Sequence, residues 1–309
     1  MSTPPRRPTP ATGTIWSASP TPFTADGDLD QVGIENLVRQ HAQLGVCGLF
    51  LGGSCGEGPF LPNRQRADLV ESFRRAAGDD FHLAVQVSDT SAPRVQVNIA
   101  EAVTAGADSV VIAAPWLLRF VHPDSARRYF LETLERDWPV PVGIYILNQP
   151  PETGLDLDFW LEIARHDNVA YVKDSTSKIE YRQALLALKR ERPNLTLRTG
   201  DEFDVVAALA DGYDGCLLGT AVLNAGLIGR AVEALRRGDR DAADRWQAHS
   251  NAFLYDLFRP DISSWMPGLK HALKTLGLFT TEYAHIMGPL TDEDRQRIAT
   301  ALEREKEYI

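Results

Sequence analysis

Short apolar runs alternate with longer amphipathic stretches from residue 13 to residue 237. The runs are 13–19 (GTIWSAS), 46–53 (VCGLFLGG), 81–87 (FHLAVQV), 108–114 (DSVVIAA), 140–147 (VPVGIYIL), 168–174 (NVAYVKD), 195–200 (LTLRTG) and 214–219 (DGCLLG). Runs of this length suit strands buried on both faces, as in a parallel sheet. The stretches between them have helical spacing. In 31–45 (QVGIENLVRQHAQLG), Val32, Leu37, Val38 and Leu44 form a rough stripe of helical period. Residues 63–78, 92–106 and 123–137 behave alike, several opening on a polar cap or an early Pro and several closing on Gly. Eight alternations predict a (β/α)8 TIM barrel. A doubly wound open sheet competes, but it more usually has about five to seven strands, and no GxGxxG follows the first strand.

The strand pattern stops after residue 237. Residues 239–258, 264–277 and 291–307 read as three helices, so the predicted organisation is an arm at 1–12, a barrel at 13–237 and a C-terminal three-helix extension at 238–309. Trp246, Phe253, Leu254 and Leu257 form a stripe that reads as core or subunit interface.

The chain has 309 residues, enough for one barrel with an extension. Its 44% hydrophobic and 24% charged content is ordinary for a globular protein. A net charge of −10 argues against nucleic acid or an anionic membrane as partner. The three cysteines, Cys47, Cys55 and Cys216, show no CxxC spacing and read as reduced thiols of a cytoplasmic protein. No apolar run reaches ~18 residues, so no membrane span is expected. The Pro-rich start, MSTPPRRPTPATG, reads as a short arm and not as a secretory signal. The histidines form no ligand cluster such as HExxH, and no metal is expected; His41, His82 and His122 read as core or surface residues.

Two places carry chemistry. In 168–174, Val169, Tyr171 and Lys173 share one strand face by alternation. Facing inward, Lys173 would stand at the C-terminal mouth, where barrel active sites are built. Burial there would strip its ammonium of solvent and favour the nucleophilic amine. The bland alternative is a strand-end lysine reaching solvent or paired with Asp174. Directly after the second strand comes GGSCGEG (52–58), whose glycines and successive amides suit an anion. Within it, Glu57 reads as a helix-terminus or subunit-contact residue and Cys55 as a small packed residue.

Together these segments resemble the dihydrodipicolinate synthase / N-acetylneuraminate lyase family over about residues 13–302. The resemblance is carried by ASPTPFTADGDLD (18–30), GGSCGEGPFL (52–61), AGADSVVIAAPW (105–116), YVKDSTS (171–177), TGDE (199–202), DGCLLGTAVL (214–223), KHALKTLGL (270–278) and PLTDEDR (289–295). It implies a class I, cofactor-independent lyase or aldolase, with Lys173 as Schiff-base lysine to a small 2-oxo acid. Ser54 stands where the family has a proton-relaying threonine, and Cys55 keeps only the backbone N–H of the second threonine. The family tyrosine falls on Tyr145 by spacing, 28 residues before Lys173, or on Leu147 by the LNQPPETG motif. Tyr145 is preferred. Gly53, Trp116, Leu117, Gly200 and Leu217 are further implied pocket positions, and a homo-oligomer, tetramer or dimer, is expected.

Two departures bear on the reaction. Leu117 replaces a relay tyrosine, and Glu152 stands where dihydrodipicolinate synthases carry a carboxylate-binding arginine. A negative side chain there would repel the carboxylate of aspartate semialdehyde. The expected substrate is a 2-oxo-3-deoxy sugar acid, cleaved, condensed or dehydrated. The rivals are a true 4-hydroxy-tetrahydrodipicolinate synthase and a non-catalytic 2-oxo-acid-binding barrel.

Overall fold

A computed structural model describes residues 13–115, 122–149, 153–285 and 288–309. The eight apolar runs are the eight strands of a closed parallel barrel, joined in sequence order. They are β1 (Ile15–Ala18), β2 (Gly48–Leu51), β3 (His82–Gln86), β4 (Ser109–Ala113), β5 (Val142–Leu147), β6 (Val169–Ser175), β7 (Thr196–Thr199) and β8 (Gly215–Leu218). Pairing of β1 with β8 closes the ring, which rules out the open doubly wound sheet.

Helices α1 (Gln31–Gln43), α2 (Asn63–Ala77), α3 (Ala92–Thr104), α4 (Pro123–Leu134), α5 (Leu157–Arg165), α6 (Ile179–Glu191), α7 (Val205–Asp211) and α8 (Ala221–Arg236) follow the strands in turn. Three more, α9 (Arg240–Phe258), α10 (Trp265–Thr275) and α11 (Asp292–Arg304), come after the barrel. The predicted arm, residues 1–12, lies outside the described residues.

Local chemistry explains the helix ends. Asp30 caps α1 by accepting the Val32 and Gly33 N–H groups. Thr291 and Asp294 form a reciprocal capping box on α11. The stripe expected on α1 needs one correction: Val32 is 57% exposed. It lies five residues before Leu37, about 140° around the helix, so it cannot share that face. Gly33, Ile34, Leu37, Val38, Gln40 and His41 are the buried set.

Between strands and helices lies an outer core that includes Val85, Ile112, Ile144, Val172, Phe130 and Trp160. The extension packs through α8 and α9, where Phe253, Leu254 and Leu257 are fully buried and Trp246 is half-buried, so the stripe on α9 is core. His41 and His82 are buried against Ser17 and Ser109, while His122 caps α4 at the surface. All three cysteines are free thiols. Among the described residues no helix is long and apolar enough to cross a membrane.

Candidate active site

The sequence alternation on β6 holds from Tyr171 onward. A register shift opposite Val142 and Gly143 leaves Ala170 as an extra residue. Val169 therefore packs with the outer core, while Tyr171 and Lys173 turn into the barrel, correcting the three-residue face expected from sequence. Lys173 is 5% exposed. Its Nζ lies 4.2 Å from the centre of the Tyr145 ring and 5.1 Å from that of Phe50. Among the described residues, Nζ makes no hydrogen bond and no ion pair. Asp174 does not neutralise it. That carboxylate points to the outer side, accepting Thr176 N–H at 3.0 Å, Thr176 Oγ1–H at 2.7 Å and Tyr213 O–H at 2.8 Å.

Below Lys173 the barrel is sealed. The Trp16 and Tyr171 rings fit because their neighbours across the sheet, Gly48 and Gly143, have no side chain to meet them. Tyr171 O–H, Ser109 Oγ and the His82 ring form a buried chain of bonds at 2.9 and 2.8 Å. The Arg198 guanidinium stacks on Trp16 at 4.1 Å and donates to Gly13 O, and burial holds its pKa below the usual value. Among the described residues this packing closes the barrel below Lys173, which leaves the C-terminal mouth as the side from which a ligand can approach.

The glycine-rich segment forms a compact turn at that mouth, closed by Gly58 N–H to Gly53 O and by Glu57 N–H to Ser54 O, both 3.2 Å. Ser54 is exposed and Cys55 buried. The Cys55 thiol donates to Gly219 O at 3.5 Å, and burial pushes its pKa up to about 12, which suits a packed residue and not a nucleophile. Glu57 stands at a helix terminus, as the N-cap of a 3-10 helix over Gly58–Phe60. Its side chain does not cap that helix; it is fully buried and ion-paired with Lys270 of α10 at 2.7 Å.

A family model described as the dihydrodipicolinate synthetase family matches residues 11–305. The chain belongs to the dihydrodipicolinate synthetase family. It is 27% identical over 289 residues to a 4-hydroxy-tetrahydrodipicolinate synthase of Chlorobaculum parvum, covering 92% of this chain and 94% of that one. It is 26% identical over 267 residues to an N-acetylneuraminate lyase of Lactiplantibacillus plantarum, covering 85% and 88%. In three dimensions it is similar to YagE, a prophage protein of Escherichia coli K12 solved in complex with pyruvate, with a TM-score of 0.81, 23% identity and coverage of 96% and 99%. The protein is thus an enzyme of a lyase family on a (β/α)8 barrel with C-terminal helices.

For this family member, the structure brings together Lys173, Tyr145, Gly200 and the turn carrying Gly53, Ser54 and Cys55. Tyr145 is level with Lys173 across β5 and β6, and Leu147 stands one inward position nearer the mouth, level with Ser175. The Tyr145 hydroxyl makes no hydrogen bond to Nζ; the ring face covers the amine instead. Leu217 is fully buried at the level of Trp16, below the mouth. Trp116, Leu117 and Glu152 lie outside the described residues.

Three neighbours were not singled out from sequence. Glu202, after β7, accepts Gly219 N–H at 2.7 Å; burial raises its pKa, with Lys173 opposing. Trp265 opens α10 with its indole against Gly219. Lys270 is fully buried. The TGDE motif was the available signal for Glu202. KHALKTLGL (270–278) was the available signal for Lys270, while Trp265 had none, because the start of that helix reads as ordinary and amphipathic. A charged cleft of about 450 Å³ lined by Asp28, Arg64, Asp68 and Arg75 shares no residue with this site.

Proposed function

We propose that Lys173 forms a Schiff base with pyruvate or another 2-oxo acid, and that the enzyme cleaves, condenses or dehydrates a 2-oxo-3-deoxy sugar-acid-type substrate. The observation that carries this reading is an enclosed amine without a hydrogen-bonding or ionic partner among the described residues, at the C-terminal mouth of the barrel. In the scheme, the neutral Nζ adds to C2 and the carbonyl oxygen takes up a proton, giving a carbinolamine. That oxygen leaves as water, and the resulting iminium draws electrons from C3. Loss of a C3 proton gives an enamine that adds to an aldehyde or expels a β-hydroxyl; in cleavage the C4 hydroxyl instead gives up its proton as the C3–C4 pair moves to the iminium, releasing an aldehyde and leaving the enamine. Tyr145 shuttles protons to and from the carbinolamine and leaving oxygen, and Ser54 passes them on. The Ser54 and Cys55 amides hold the carboxylate. No metal or cofactor is needed for this chemistry.

The substrate preference rests on charge. Glu152 stands where the resemblance places a carboxylate-binding arginine. A negative side chain there disfavours a co-substrate bearing a second carboxylate. A panel of 2-oxo-3-deoxy sugar acids, with pyruvate release or dehydration followed optically, tests the reading. Turnover of at least one, with little condensation of pyruvate and aspartate semialdehyde, is expected. The second reading, 4-hydroxy-tetrahydrodipicolinate synthase, is favoured by the name of the Chlorobaculum parvum relative. Efficient condensation with aspartate semialdehyde and no turnover of the panel would establish it over the first. A homotetramer or dimer and a cytoplasmic location belong to the same proposal; sedimentation velocity and cell fractionation test them.

A further inference from the structure

We propose that the buried Glu57–Lys270 pair positions the carboxylate cradle, so that the C-terminal extension sets how tightly the barrel holds a 2-oxo acid. This rests on the Schiff-base reading above and adds two positioning residues to it.

Lys270 lies on α10, far along the chain from the glycine-rich turn, yet its side chain ends beneath that turn. Its Nζ contacts Glu57 Oε1 at 2.7 Å and donates to Thr21 O at 2.6 Å. The Phe23 and Phe279 rings flank it at 4.7 and 5.4 Å. Both charged side chains are fully buried. Glu57 comes three residues after Ser54 and holds a left-handed backbone, φ 57°, which a residue with a β-carbon adopts only when its surroundings impose it. Its second oxygen accepts His285 N–H at 2.6 Å. Thr21, whose carbonyl Lys270 holds, donates its own hydroxyl to Gly56 O at 2.7 Å. The turn is thus gripped from two sides. One grip is Glu57 through Lys270, and the other is Gly56 through Thr21, which Lys270 also holds.

Stability alone is a weak reason for such a pair, since buried ion pairs commonly contribute little net stability. Burial lowers the Lys270 pKa, and the Glu57 carboxylate beside it opposes that shift. The pair is neutral as a unit, and its effect on a bound anion is through the geometry of the Ser54 and Cys55 amides. Displacement of such amides by a fraction of an ångström weakens carboxylate binding without touching Lys173.

The test is borohydride trapping of pyruvate on the intact protein across a range of pyruvate concentrations. Removing one charge leaves the other buried alone, so the informative variant is the double substitution Glu57→Gln with Lys270→Met, beside Thr21→Val, which leaves no stranded charge. Both should keep a wild-type circular dichroism spectrum. The half-saturating pyruvate concentration should rise about tenfold or more in the double variant and about threefold in Thr21→Val. The trapping rate at saturation should stay within a few-fold of wild type, because the reacting groups are untouched. Wild-type half-saturation in whichever of these variants folds overturns the proposal while leaving the Schiff base intact. Absence of any adduct on the wild-type protein overturns the underlying reading instead, and this one with it.

Discussion

A β-carbon added at Gly200 would sit 2.8 Å from Lys173 Cε and would also strike Ser175 Oγ. The backbone N–H of Gly200 meanwhile donates to Asp174 O at 2.6 Å, which ties β7 to the strand carrying the lysine. The missing side chain is therefore the space in which Lys173 extends. Gly200→Ala should cost about 1–3 kcal/mol by overpacking. It should also lower pyruvate trapping on folded protein about tenfold or more, because the amine is pushed off its position. Denaturant unfolding and adduct mass together check this; full trapping in a destabilised variant would show that the lysine finds another path.

Tyr145 covers Nζ with its ring, so ring and hydroxyl have separable roles. Tyr145→Phe keeps the packing and removes the proton carrier. Its rate of adduct formation at saturating pyruvate should fall about 100-fold. Thermal stability should move by no more than about 1 kcal/mol. An unchanged rate would remove this hydroxyl from the relay.

The fold was legible because most of the buried parallel strands are short apolar runs, β7 (Thr196–Thr199) with its inward Arg198 being the weakest, and eight such runs leave little else to build. Lys173 stood out for the same reason, as a cation closing an apolar strand. The face of β6 was misjudged at Val169 because the bulge at Ala170 is a tertiary adjustment that alternation does not reveal. Val32 was misplaced on α1 because an apolar residue in a first turn need not lie on the core side. Trp265 was invisible as a site residue, and Lys270 was marked only by its place in KHALKTLGL: both reach the mouth through the docking of α10, and their helical pattern does not reveal that contact. Glu57 was read from its neighbours as a helix-terminus or subunit-contact residue; its ion-pair partner was not foreseen, because it lies more than two hundred positions away.

His41 makes the fold sensitive to acid. It is fully buried, and desolvation lowers its pKa from 6.5 to about 3. The unfolded chain takes up this proton near pH 6.5 while the folded chain resists until about pH 3, so the contribution is complete above pH 6.5 and is lost as pH falls toward 3. Between pH 7 and pH 5, wild-type stability should fall by about 2 kcal/mol from this group. His41→Gln, which keeps a polar partner for Ser17, should lose that much less over the same range. Equal losses in urea titrations at the two pH values would rule the group out as a source of acid sensitivity.

Cys55 is placed to pack and not to react. Cys55→Ala should leave pyruvate trapping within about threefold of wild type, since only the backbone N–H is used. The loss of stability should be about 1 kcal/mol. Native protein at pH 8 should also resist alkylation at this thiol. Abolished trapping in a folded Cys55→Ala protein would give the sulfur a role the geometry does not support.

The most direct measurement is peptide mass spectrometry after incubation with pyruvate and borohydride. Lys173 should carry the mass of pyruvic acid less one oxygen, and Lys173→Ala protein should carry no such modification. A modification on a different lysine, one that persists in Lys173→Ala, or none on active wild-type enzyme, would contradict the assignment of the amine at the end of β6.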